Sequence, residues 1–127
     1  MSAAAALQAG AVAALQGAGV GAVFDHPPAG AGLPHVQVEE PVLVDWGAKQ
    51  LTGREARLTV RVHDRGERPE RLRTLMAAAE AAVVAMPPAL DGGWRVASLV
   101  FVRGGGRRAG DGRWTGSAEF RVRMWRD

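Results

Sequence analysis

Between Arg54 and Asp64 the chain alternates without a break. Leu58, Val60 and Val62 fall on one side, and Arg57, Thr59, Arg61 and His63 on the other. A period of two over this length specifies a β-strand with one face against a core and the other open to solvent or a partner. The period then changes: within Glu67–Met86 the apolar residues Leu72, Leu75, Met76, Ala79, Val83 and Met86 recur at helical spacing. Glu67 and Glu70 sit in the expected first turn, where the helix dipole favours carboxylates, and Pro69 is tolerated there. Pro87-Pro88 stops the helix. A half-apolar strand that feeds an amphipathic helix restricts the chain to layered folds in which helix and sheet share one core.

The flanking segments fit that frame. Ser2 caps a helix running to about Gln16, with Ala4, Leu7, Ala11, Ala14 and Leu15 on one face and Gly17, Gly19 and Gly21 ending it. Its small side chains bury little area, so it depends on a partner surface. Ala22–Phe24 reads as a short strand, and the Pro/Gly-rich stretch from Pro27 to Pro34 as a loop. His35–Glu40 is a strand with Val36 and Val38 on one face, and Pro41 breaks it before Val42–Trp46. Trp94–Arg103 and Trp114–Trp125 are the closing strands. In the latter, Phe120, Val122 and Met124 alternate with Glu119, Arg121, Arg123 and Trp125. Residues 104–113 read as the loop between them. The expected fold class is α+β: a mainly antiparallel β-sheet of about five strands with two α-helices packed on one face. No internal repeat interrupts residues 1–127, which are expected to form a single domain.

Composition excludes several classes. There is no cysteine, so disulfides and thiolate metal sites are ruled out. The first 24 residues carry no charged side chain, yet they lack a basic start and a leucine-rich run, and Gln8 and Gln16 interrupt them. A soluble, unexported chain without a membrane span is expected. The pI of about 10.9 overstates the positive field, because the net charge is only +3. Fifteen of the sixteen basic residues are Arg, and there is no Tyr.

Reactive side chains do not assemble. Gly17-Ala18-Gly19-Val20-Gly21 follows a helix and misplaces the third glycine of a dinucleotide fingerprint, so it is read as a helix stop. Asp25-His26 and His63-Asp64 are the only His–carboxylate neighbours, and adjacent strand residues point to opposite faces. His26, His35 and His63 lack metal-ligand spacing. No catalysis, cofactor or metal is expected. The surface-active candidates are arginines and tryptophans. Arg103, Arg107, Arg108 and Arg113 place a charge of +3, after Asp111, on an eleven-residue Gly-rich stretch. That stretch is either a solvated hairpin tip or a mobile finger for phosphates or carboxylates. Arg57, Arg61, Arg121 and Arg123 are candidates for one sheet face, either solvated or contacting another subunit through Glu39, Glu55 or Glu119. Trp46 and Trp125, at strand ends, are candidate interface anchors.

The order of these pieces resembles the phage tail-completion family, also called tail terminator or tail-to-head joining proteins, which includes prophage and gene transfer agent versions. The resemblance covers nearly the whole chain. It rests on the Ala-rich first helix with Leu7 and Leu15, on Val23-Phe24-Asp25, and on the segment Pro28–Val36. Val38-Glu39-Glu40 and Asp45-Trp46-Gly47-Ala48-Lys49 follow, then the Glu55–Val62 strand and the Pro69–Val83 helix. The turn Leu90-Asp91-Gly92 and the closing Phe120-Arg121-Val122 complete it. Residues 104–112 depart from the pattern in being unusually rich in Gly and Arg. The resemblance implies a structural, non-enzymatic ring, typically of six copies, at the head-proximal end of a tail tube. Such a ring ends tube polymerisation and meets the head connector or stopper protein, and DNA passes through its lumen. The implied partners are further copies of the chain, the major tail tube protein, the connector and DNA in transit, with no membrane. The implied location is the cytoplasm during assembly and then the particle. The alternative reading is a small nucleic-acid-binding module that uses Arg103–Arg113.

Overall fold

In the computed structural model, which describes residues 1–127, the chain runs α1 (Ala3–Gln16), β1 (Ala22–Phe24), β2 (His35–Val38), β3 (Val42–Asp45), β4 (Thr52–Arg65), α2 (Glu70–Val84), β5 (Arg95–Ala109) and β6 (Arg113–Arg126), with a short 3-10 turn at Asp91–Gly93. The six strands form one sheet ordered β1-β2-β4-β6-β5, and β3 pairs with β4 beyond the end of β2. Every pairing is antiparallel except β1 with β2. The α+β class is as expected, with one strand more than anticipated.

The period-two stripes become the core. Ala56, Leu58, Val60 and Val62 of β4 lie in register with Val122, Phe120, Ala118 and Gly116 of β6. Together with Val36 and Val38 of β2 they form the face on which both helices pack. Leu7, Ala11 and Leu15 of α1 and Leu72, Ala79 and Val83 of α2 complete that core. Leu75 and Met76 are half-buried against it. Burying each large apolar side chain of this kind stabilises by about 1.5–3 kcal/mol. The Ser2 hydroxyl accepts from the Ala5 amide at 3.1 Å and caps α1 as expected. Gln8 is buried in the core-facing stripe, where its amide donates to the Val38 carbonyl at 3.1 Å and ties α1 to β2.

Several boundaries differ from the sequence expectation: α2 stops at Val84 before Met86, β2 stops at Val38 before Glu40, and two larger differences have clear physical causes. The second helix begins at Glu70, not Glu67, with Pro69 at the capping position. The proline ring disfavours helical geometry at Arg68, so the residues before it cannot join. The larger difference is the stretch 104–113. It is not a mobile loop: β5 continues through it to Ala109, and β6 starts at Arg113. The turn is Asp111-Gly112, with φ of 62° and 70°. The Arg113 amide donates to the Gly110 carbonyl at 3.3 Å. Two successive left-handed residues of Asp-Gly type match the right-handed twist of a hairpin. The glycines have a separate use. Gly106 pairs with Gly116 on the helix side of the sheet. A Cβ on Gly106 would sit 2.9 Å from Leu72 Cδ2, and one on Gly116 would run into Met76. Their bare backbone lets α2 approach the sheet closely.

The corner between β4 and α2 is fixed by charge. Asp64 is buried, and its carboxylate accepts from both Nε (3.0 Å) and a terminal nitrogen of Arg71 and from the Arg65 amide (2.8 Å). These bonds hold its pKa below the usual carboxylate value. The Arg71 hydrogen bond is the largest cause, acting against the effect of burial.

Candidate functional site: the open face of the sheet

Both helices cover one side of the sheet, so the other side is bare, and the register states which residues share it. β4 contributes Glu55, Arg57, Thr59, Arg61, His63 and Arg65; β6 contributes Arg113, Thr115, Ser117, Glu119, Arg121, Arg123 and Trp125. β5 adds Arg95, Ser98, Val100, Arg103, Gly105 and Arg107. From β2 come His35 and Gln37, and Glu39 follows directly after it. Nine arginines therefore share this face with three glutamates, a surplus of six positive charges, against +3 for the whole chain. Charge is sorted between the two sides of the molecule more strongly than composition indicates.

The three glutamates are all engaged. Arg61 Nε lies 2.7 Å from Glu39, Arg123 Nε 2.9 Å from Glu55, and Arg103 Nε 3.1 Å from Glu119. Arg57 and Arg121 are direct cross-strand neighbours at the centre of the face, and neither makes an ion pair. Like charges directly opposite each other on a sheet are destabilising. In addition, Arg121 Nε is buried without a hydrogen-bond partner. Such a donor carries a desolvation penalty that an incoming acceptor would remove. An unpaired guanidinium pair of this kind fits a planar, bidentate anion, either carboxylate or phosphate.

Tryptophans border the face. Arg123 lies over the Trp46 ring at 5.6 Å and Arg95 over Trp125 at 6.0 Å. At the other end of the sheet, the His35 and His63 rings are 4.9 Å apart. His35 Nδ1 is 2.8 Å from the Gly32 carbonyl. The His63 pKa is lowered, first by burial and then by the charges of His35 and Arg61, with Glu39 opposing. Asp64, its sequence neighbour, projects to the helix side and is held by Arg71, so the two form no dyad. No cluster of three or more His, Asp or Glu side chains capable of holding a metal is present. No helix is long and apolar enough to cross a membrane.

Of the residues singled out in the sequence, Arg57, Arg61, Arg103, Arg107, Arg113, Arg121, Arg123, Trp46 and Trp125 come together on this face. Arg108 does not: it pairs with Trp114 on the helix side, its guanidinium 5.9 Å from that ring. The four-arginine finger is thus divided between two faces, because strand geometry alternates them. Arg65 and Arg95 join the face unanticipated; both sit at strand termini, where period-two reasoning is weakest.

The signature of the family described as tail completion protein gp17 matches residues 3–126. The chain belongs to that family. It is a structural tail protein. A solved chain from the virion of a native gene transfer agent (GTA) particle has the same fold. It superposes with a TM-score of 0.82 at 24% identity, over 98% of this chain and 99% of that one. No curated protein sequence matches.

Proposed function

We propose that this tail completion protein forms a ring, six copies being the expected number, at the head-proximal end of a phage-like tail. There it ends polymerisation of the tube and presents a surface to the head connector, with DNA passing through the lumen. The observation that carries this reading is family membership across residues 3–126. The physical features are consistent with it. A closed ring needs two different, complementary patches on each subunit. The bare face, with a surplus of six positive charges, would become a continuous basic band in a ring. The mechanism is templated association, without a chemical step.

Deletion of the gene tests this. The expected result is tails of uncontrolled length that fail to join heads. Tails of normal length that still join would refute it. The same bare face favours a second reading, a free nucleic-acid-binding module. That reading requires the isolated chain to bind duplex DNA with a steep inverse dependence on salt, and it leaves tails intact on deletion.

A further inference from the structure

Of the nine exposed large apolar side chains, seven lie on or beside two strands of the sheet, and only Met1 and Val84 lie elsewhere. Val42, Val44, Trp46 and Leu51 cluster along β3 and its turn, and Val100, Phe101 and Val102 lie on β5. These are opposite margins of one sheet. Val42 is 68% exposed and Val100 40%. Both belong to a single row across the sheet, Val42–Arg57–Arg121–Val100. Two margins are short: β1 has three residues, and β3 has four and follows Pro41. Natural edge strands are usually blunted with lysine, proline or brevity. From Ser98 to Phe101, β5 has no such device and pairs regularly with β6, its irregularities falling outside that stretch.

We infer that β5 of one copy pairs edge-to-edge with β3 of the next copy, which continues the sheet from subunit to subunit. This rests on the ring reading above and names its two surfaces. Direction agrees with it. β3 is antiparallel to β4, β4 to β6, and β6 to β5, so β3 and β5 run in opposite senses. Rotation about a ring axis preserves the sense of strands that run along it, so the β3 of a neighbour meets β5 as an antiparallel partner, the more stable ladder. Charge agrees as well. With Val42 opposite Val100, the count along an antiparallel pair brings Glu40 to the level of Val102 and Arg103. Glu40 makes no ion pair in its own chain, and Arg103, although held by Glu119 at 3.1 Å, has a side chain that is 82% exposed. The contact is heterologous, β3 against β5, and so can close a ring.

The absence of cysteine makes the test clean. Val42→Cys and Val100→Cys, singly and together, are introduced into particles and treated with a short bis-maleimide. The double variant is expected to give a ladder of chain multiples on a denaturing gel, ending at the ring size, and each single variant only monomer. A charge exchange guards against a folding defect: Glu40→Arg alone or Arg103→Glu alone should abolish head joining, and the pair should restore much of it, short of the wild-type level because Arg103→Glu also removes the contact with Glu119. No ladder in particles that contain the protein would overturn the edge pairing and leave the tail role standing. Cross-linked dimers from a single variant would show like-to-like pairing and overturn it too. If the protein were missing from particles, the tail role would fall and the pairing with it.

Discussion

Replacing Arg121 by Met should stabilise the isolated subunit while weakening assembly. In the free chain Arg121 carries two liabilities: a buried Nε without an acceptor and Arg57 directly across the strand pair. A buried unsatisfied donor costs about 1–3 kcal/mol. Only the low end applies, because Arg121 is itself half-buried. Adjacent like charges on a sheet add about 0.2–1 kcal/mol. Methionine keeps an unbranched stem of similar reach, so the net gain should be about 1.2–2 kcal/mol. At a urea m-value of about 1.5 kcal/mol/M, the unfolding midpoint rises by about 0.8–1.3 M. The part due to Arg57 should shrink at 1 M salt, where the Debye length falls to about 3 Å. Particles carrying the variant should join heads less efficiently, since the donor that would bind the anion has been removed. A variant less stable than the parent, or more stable with full joining, would refute the view that this pair waits for a partner.

Three further outcomes follow from the packing and the titrating groups. The pKa of His63 lies below its ordinary 6.5, so the unfolded chain binds a proton that the folded chain resists. Its contribution is complete above that value and is lost as pH falls from there towards the folded pKa; His63→Gln should flatten the stability–pH curve in that window. The pKa of Asp64 lies below 3.8, so its contribution is complete above that value and lost as pH falls through the folded pKa. Arg71→Ala should move acid unfolding, followed by circular dichroism, to higher pH. Gly116→Val should force α2 off the sheet against Met76 and destabilise by about 1–3 kcal/mol in urea titration.

The fold was legible where one period ran without interruption. Leu58, Val60 and Val62 against Leu72 and Val83 fixed the strand, the helix and their common core, and Phe120 and Val122 placed the last strand. The reading failed at Gly104–Gly106, because glycine is the strongest punctuation in a sequence and three in a row read as a loop. The physical use of Gly106 there, a close approach by α2, depends on Leu72, distant in sequence, and no local pattern reveals it. The hairpin itself was signalled: Asp111-Gly112 is a preferred type I′ pair, outweighed by the surrounding glycines. For the site, alternation put Arg57 with Arg61 and Arg121 with Arg123 and offered one sheet face for both rows, without fixing their alignment. That the two rows meet, with Arg57 opposite Arg121, is a matter of register, which the hairpin turn and the buried face set together. The apolar margins at Val42 and Val100 were invisible, because exposure of a valine depends on which strand lacks a neighbour.

The most direct test of the tail role is a reconstruction of intact particles at the junction of head and tail. The account predicts a single ring there, between tube and connector, whose subunits trace this chain's two helices and six-stranded sheet. Finding the chain elsewhere in the particle, or a junction built without it, would contradict the account.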